Sequence, residues 1–428
     1  MREIFYIEDT PANKISYYLL LVFLVTLPFD RIYSELSLIG LLVHTLIHLT
    51  PRRLSFRWAG WLVAGLFLLM VLGSLYAPKW SDAGKQLEKQ LAILLFPLIA
   101  WYSRLDWSVV RRPLLKGFAF SCFFTLIYLY GCAFIKLHNL GLPLTSLFTQ
   151  PFLNHAFTSP LDLHATYFSM YVGIAMVVFI DRMVGAEREQ GGAIGARQTK
   201  WKRWIYGLIS LFLLLGLLQL ASRAVCLAML VVMNLLVPWF ILKGKARWIV
   251  LGVFVLLSGI AVAVVVENDN LNERYLVQLK EDMQRVKMNG GDAEPRMMRW
   301  GCAWELIRQS PWIGYGTGAE VQRLKKEYYT HHLMIAYTHE LNAHNQYLSY
   351  LLNAGFPAGL FYVLVLVSGG VIAFRRKDIL FGSVIVLIAS VSFSENILDT
   401  NKGIFFFSCF LTLFLYRPWA SRSGVAAE

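Results

Sequence analysis

The chain has 428 residues, of which 57% are hydrophobic and only 16% charged, with a mean hydropathy of +0.53. Soluble domains run at about 45–50% apolar with about a quarter of their residues charged, so a soluble fold of this length is excluded. The formal net charge of +13 would suggest nucleic acid in a soluble protein, but here it is read by where the basic residues fall between apolar runs, and no nucleic-acid partner is expected.

Twelve apolar runs follow in chain order: 15–29, 33–50, 58–76, 91–103, 114–136, 165–181, 204–221, 224–242, 248–266, 353–374, 379–394 and 403–416. Trp58–Tyr76 and Trp248–Val266 are uncharged over 19 residues each, enough for a helix to cross a hydrocarbon core of about 30 Å. The first run follows a Glu-Asp start and has no small-residue cleavage site, so it reads as a span rather than a signal. The expected fold is an all-α polytopic membrane protein with about twelve transmembrane helices. Basic residues mark alternate connections, among them Arg52, Arg53 and Arg57, then Arg104, Arg111 and Arg112, six in 182–203, Lys243, Lys245 and Arg247, Arg375, Arg376 and Lys377, and Arg417 and Arg422. Both termini are therefore expected on the cytoplasmic side. The stretch 182–200 is rich in glycine and charge and reads as a mobile linker.

Two large connections lie on the opposite side. The first, 137–164, holds no Lys or Arg. The second, 267–343, has 77 residues with ten basic and eleven acidic side chains, too long for the charge rule to govern. The chain thus divides into helices one to nine over 1–266, this loop, and helices ten to twelve with a cytoplasmic tail over 344–428. Within the loop, Leu271, Tyr275, Leu279, Met283 and Val286 recur at helical spacing. After a Gly290-Gly291 break, so do Met297, Trp300, Trp304 and Ile307, up to Ser310-Pro311. These amphipathic helices are expected to lie on the bilayer face or against the span ends.

The spans carry almost no ionisable residues, which counts against a transporter or proton pump and moves the chemistry to the outer boundary. Three features gather there. Ser222-Arg223 stands in a tight turn; an arginine there snorkels by default, and holding a guanidinium at an apolar boundary becomes favourable if a lipid phosphate accepts bidentate hydrogen bonds from it. Arg296 follows Pro295 in the first turn of a helix, where free N–H groups favour anions, and Arg299 lies three residues on. The structural alternative is a helix charged for solubility, with Asp292 and Glu294 as helix-start acids. The third feature is the run His339-Glu340-Leu341-Asn342-Ala343-His344-Asn345, where the loop re-enters the membrane. Histidine is the usual general base near neutral pH, although a lone interfacial histidine is more often structural. His164 sits at another outer boundary and is a further candidate for the same cavity. His331-His332 reads as an exposed pair. Gly314-Tyr315-Gly316-Thr317-Gly318 lacks a βαβ context and reads as a turn, not a dinucleotide site. The five cysteines imply neither disulfides nor zinc.

Ser222-Arg223, then Arg296 with Trp300 and Pro311-x-x-Gly314-x-Gly316, then His344-Asn345-x-x-Leu348, together resemble the bacterial O-antigen ligase superfamily. Twelve spans with one large loop before the last three resemble it too. The resemblance implies a glycosyltransferase at the periplasmic face of the inner membrane, with a fold of the membrane glycosyltransferase C type and no metal or other cofactor. Its donor would be a glycan on undecaprenyl pyrophosphate, and its acceptor lipid A-core. By the same resemblance His344 is the catalytic histidine, with Arg223 and Arg296 on the donor; Arg299, Asn345, His339 and His164 are candidates to share substrate binding. Within the superfamily a ligase is favoured over a polymerase, because no Arg here has Gly eleven residues later, as in repeats of some polymerases. The chain also ends soon after Tyr416, whereas protein-glycosylating members often have an extra soluble segment. Outside the superfamily the rival is a flippase for lipid-linked sugars, which would need a charged path that the spans lack.

Overall fold

The computed structural model describes residues 2–49, 58–185, 193–284 and 294–416. Among them there is no strand. The core of each of the twelve apolar runs lies in a helix. Five precede the first large connection: α1 (Pro11–Thr26), α2 (Arg31–Ile47), α3 (Trp58–Ser74), α4 (Trp80–Tyr102) and α5 (Trp107–Asn139). Four follow it: α6 (Ala165–Gly185), α7 (Ala193–Leu220), α8 (Arg223–Ile241) and α9 (Gly244–Glu267). The large loop folds into α10 (269–282), α11 (Arg296–Gln309), α12 (Glu320–Thr330) and α13 (Met334–Thr338). The chain returns through α14 (Gln346–Arg376), α15 (Ile379–Val391) and α16 (Asn401–Leu415).

Six of these, α5 from Val109 onward, α6 to Val184, α7 from Trp201, α8, α9 and α14, are long and apolar enough to cross a membrane. Four others are apolar but shorter: α1, α15, α16 and the Gly60–Ser74 part of α3. α16 has 15 residues, about 22 Å of helix against a core of about 30 Å. Every residue from Gly403 to Leu415 is buried, so protein rather than lipid surrounds it. Phe405, Phe406 and Phe410 meet Phe23 of α1, Tyr171 of α6 and Phe118 of α5, with ring centroids 5.2–5.6 Å apart. α9 is the opposite case: it is the most apolar of the six, and none of its hydropathy window is buried. A helix apolar all round with no protein cover belongs against lipid chains.

Local sequence explains the helix starts. Thr10 accepts from Asn13 N ahead of Pro11, Asp30 accepts from Ile32 N, and Asp378 accepts from Phe381 N. α14 breaks in its first half. Ala354 and Gly355 leave helical geometry, Gly355 at φ 72°, ahead of Pro357. The glycine-rich segment 314–318 fills that break: Tyr315 N donates to Leu352 O at 2.8 Å, and Gly316 N to Asn353 O at 2.9 Å. All three of its glycines have positive φ, and a Cβ on Gly314 would stand 2.5 Å from Leu352 O. It is the turn expected from the sequence, and only glycine fits so close to a neighbouring backbone.

The structure differs from the sequence reading in three places. α11 buries Arg299, Cys302, Ala303, Leu306 and Ile307, while Trp304 is exposed, so the expected stripe is shifted by one position. Small Cys302 and Ala303 allow close packing with Leu324 and Tyr328 of α12, Ala336 of α13 and Leu352 of α14, which form a separate small core. Glu294 is not a cap for its own helix: it accepts from Ile335 N at 3.0 Å and Ala336 N at 2.9 Å, at the start of α13. The expected linker 182–200 is helical to Gly185 and again from Ala193. Its middle, 186–192, lies outside the described residues, as do Arg52, Arg53, Arg57, Val286, Gly290-Gly291, Asp292, Arg417 and Arg422.

Candidate functional site

The site is built where the loop rejoins α14. Asn345 caps that helix, its Oδ1 accepting from Tyr347 N at 3.0 Å and Leu348 N at 3.1 Å. The residue before it, His344, takes the left-handed conformation at φ 47°. A non-glycine residue holds that geometry when its surroundings over-determine it, and here they do. Asn342 Oδ1 accepts from His344 N at 3.0 Å. Trp300 Nε1 donates to Ala343 O at 2.9 Å. Ala343 N donates to Glu320 Oε1 at 3.0 Å, and Asn345 N to Asn396 Oδ1 at 2.7 Å.

Glu320 is the centre of that support. The glycine turn 314–318 delivers it to the start of α12, where it is buried and accepts from Ala343, Ser349, Asn353 and Asn396. Burial, and then the nearby Asp399 carboxylate, push its pKa up to about 7 against the pull of those hydrogen bonds. Asn396 Nδ2 continues the network to Asp399 Oδ2 at 2.9 Å.

The turn between α15 and α16 supplies a carboxylate for the histidine. Glu395 Oε2 lies 3.3 Å from His344 Nδ1, which leaves Nε2 for a substrate. Burial acts to raise the Glu395 pKa, but the His344 hydrogen bond and charge, with Arg296 beyond, outweigh it and hold the carboxyl below its usual range. His164 also faces this group. Its ring is 4.3 Å from that of His155, and its Nδ1 is buried without a hydrogen-bond partner. Desolvation, offset partly by Glu395 and reinforced by His155, His344 and Arg296, pushes its pKa down to about 4. At neutral pH it is an uncharged imidazole. The loop carrying both histidines is tied to the end of α7: Asn154 N donates to Gln219 O at 3.1 Å, and Gln219 Nε2 donates to Leu147 O at 2.7 Å.

The arginines complete the site. Arg223 opens α8 and Arg296 opens α11, and one carboxylate joins them. Asp282 Oδ2 accepts from Arg223 Nη2 at 2.5 Å and lies 3.5 Å from Arg296 Nε. Arg296 Nη1 also donates to Ser394 O at 2.7 Å, next to Glu395. Arg274 of α10 lies within electrostatic reach of Arg223, Arg296 and Asp282, and desolvation followed by the Arg223 charge lowers its pKa. Loop segments far apart in sequence thus bring His344, Glu395, His164, Arg296, Arg223 and Arg274 into one electrostatic neighbourhood.

Three sequence candidates sit differently. Arg299 is 7% exposed beside Tyr328 of the loop's own core, and burial lowers its pKa, with the Arg296, Asp282 and Glu294 charges also within reach. Asn345 is occupied as a cap, with its Nδ2 3.5 Å from Phe393 O. His339 is exposed at the end of α13 and is not among the groups that contact His344. Sequence reading missed Glu395, Asp282, Arg274, Glu320 and His155. The one local signal was the polar run Ser394-Glu395-Asn396 at the end of the apolar run 379–394. Among the described residues, Glu305, Glu327 and His331 place potential metal-ligand atoms within 4.8 Å of one another. They are on the loop surface and form an ion-pair set, His331 Nε2 being 2.9 Å from Glu305 Oε2.

Residues 208–363 match the family model described as O-Antigen ligase. That segment contains Arg223, Arg274, Asp282, Arg296, Glu320 and His344, while Glu395 falls beyond it. No curated protein matches the chain.

Proposed function

We propose that this chain, whose residues 208–363 match the O-antigen ligase family, is a lipopolysaccharide O-antigen ligase. It moves a glycan from undecaprenyl pyrophosphate to a sugar hydroxyl of lipid A-core at the periplasmic face of the inner membrane. The observation that carries this reading is the pairing of a carboxylate-backed histidine with an arginine cluster at the end of apolar helices: Glu395 behind His344, and Arg223 and Arg296 joined through Asp282. In this reading the chain crosses twelve times with both termini cytoplasmic, so that the cluster faces the periplasm.

In this account Arg223 and Arg296 grip the donor pyrophosphate while its polyprenyl tail stays in the bilayer. His344 Nε2 takes the proton from the acceptor hydroxyl. The freed oxygen attacks the anomeric carbon on the face opposite the pyrophosphate. The bond from that carbon to the phosphate oxygen breaks, and its electron pair leaves with the pyrophosphate, whose growing charge the guanidiniums stabilise. One displacement inverts the anomeric centre. Positive charge comes from side chains, and because the sugar already carries pyrophosphate as its leaving group the transfer needs no ATP.

Expression in a bacterium that makes lipid-linked O-glycan but lacks its own ligase tests the reading. The expected result is a ladder of glycan attached to lipid A-core. Longer glycan left on the polyprenyl lipid, with bare lipid A-core, would instead identify a polymerase.

A further inference from the structure

Between Arg223 and Arg296 the protein presents its own anion to two side chains that, in the reading above, hold the donor. A single Asp282 oxygen lies 2.5 Å from Arg223 Nη2 and 3.5 Å from Arg296 Nε. A phosphate oxygen makes the same charge-assisted contacts, and a pyrophosphate brings several such oxygens. The cluster has donors to receive them. Arg223 Nη1 and Arg274 Nε are both buried with no hydrogen-bond partner. A buried donor left unmade is costly, so these two N–H groups mark a place where an acceptor with more oxygens than Asp282 would be favoured.

Arg274 and Asp282 travel together. Both lie in α10, whose middle, Glu273–Val277, is a π-helical turn. Such turns are uncommon and concentrate at functional positions. Arg274 Nη1 is held by Gln278 Oε1 at 2.7 Å, and its neighbour Tyr275 sits 3.4 Å from Cys226 of α8. α10 is therefore seated against the helix that Arg223 begins.

We propose that Asp282 is a resident stand-in for a donor phosphate: the pyrophosphate of the lipid-linked donor displaces it from Arg223 and Arg296, and Arg274 becomes the third guanidinium on the donor. This rests on the reading of the donor as a pyrophosphate. Before the donor arrives, Asp282 neutralises part of a cluster of three cations, which otherwise repel one another in a partly buried site. When it arrives, the carboxylate is exchanged for a better acceptor, and α10 registers that the site is filled.

The test is titration of inorganic pyrophosphate into the purified full chain in nanodiscs, together with the KM for the lipid-linked donor. Asp282→Asn is expected to tighten pyrophosphate binding by about tenfold and lower the donor KM, because the competitor is gone. Asp282→Glu, which keeps a carboxylate, is expected to stay near wild type. Arg274→Gln is expected to weaken binding about tenfold with a smaller change in kcat. The inference is overturned if Asp282→Asn, still monodisperse, weakens binding, or if Arg274→Gln leaves it unchanged; the Arg274 arm decides alone if Asp282→Asn does not fold. Arg223→Gln separates the two levels. If it weakens pyrophosphate binding while Asp282→Asn fails to tighten it, only the stand-in is wrong. If wild type and Arg223→Gln bind alike or not at all, the donor reading fails with it.

Discussion

Replacing His344 is expected to reduce glycan transfer by about 10²–10⁴-fold while leaving the protein folded, since a positioned general base contributes on that scale. The side chain is 31% exposed, and the hydrogen bond its ring makes among the described residues is from Nδ1 to Glu395. Removing it therefore opens little of the packed core. His344→Asn is the better probe, because asparagine accepts the left-handed backbone at φ 47° more readily than alanine does. Melting temperatures of the purified variants should stay near wild type as kcat falls. Glu395→Gln is expected to give a smaller loss, about 10- to 100-fold, because an amide in place of the carboxylate still contacts the ring but no longer stabilises the imidazolium that proton transfer creates. If the Glu395 variant lost as much stability as activity, that residue would be structural support.

Arg223→Ala is expected to lower kcat/KM for the lipid-linked donor by about 10²–10³-fold, the usual loss when a donor to a developing negative charge is removed from a site of low polarity. Arg223→Lys should recover little. A lysine ammonium cannot reproduce the planar fork that reaches Asp282 with one nitrogen and leaves another for the donor. Arg296 carries an added structural duty, because its Nη1 fixes Ser394 O beside Glu395. Its loss should lower both donor affinity and the rate constant of the chemical step, and the comparison of KM and kcat between the two variants separates those duties.

Much of this fold is legible in the chain because lipid imposes a simple rule on sequence. Runs such as Trp248–Val266 are apolar on every face, and no residue in the hydropathy window of α9 is buried. Short α16 was harder, since its length is set by burial among other helices and not by the bilayer. Glycines 314, 316 and 318 were readable as a turn, but their docking into the break of α14 was not, because that depends on backbone atoms about 40 residues away.

The site divides along the same line. His344 and Arg223 stood out because each sits where an apolar run ends, where a polar residue is costly without a purpose, and Arg296 because it opens a helix after Pro295. Glu395 and Asp282 did not, because an acid in an outer loop is ordinary and its partner lies 51 or 59 residues away. Glu320 was not singled out, because an acid at a helix start is ordinary in sequence, yet it is buried and accepts from Ala343 N. Arg299 shares the spacing of a phosphate clamp with Arg296, but α11 buries Arg299 on the side of the loop's own core while Arg296 stays half-buried. Helix phase, shifted by one position from the apolar stripe in the sequence, decides that difference.

The most direct measurement is transfer from a lipid-linked glycan to lipid A-core by purified protein in liposomes with EDTA present, wild type beside His344→Asn. The account predicts glycan on lipid A-core with wild type, undiminished by the chelator, and none above background with the folded variant. Equal transfer by both proteins, or a glycan moved across the bilayer but never joined to an acceptor, would contradict it.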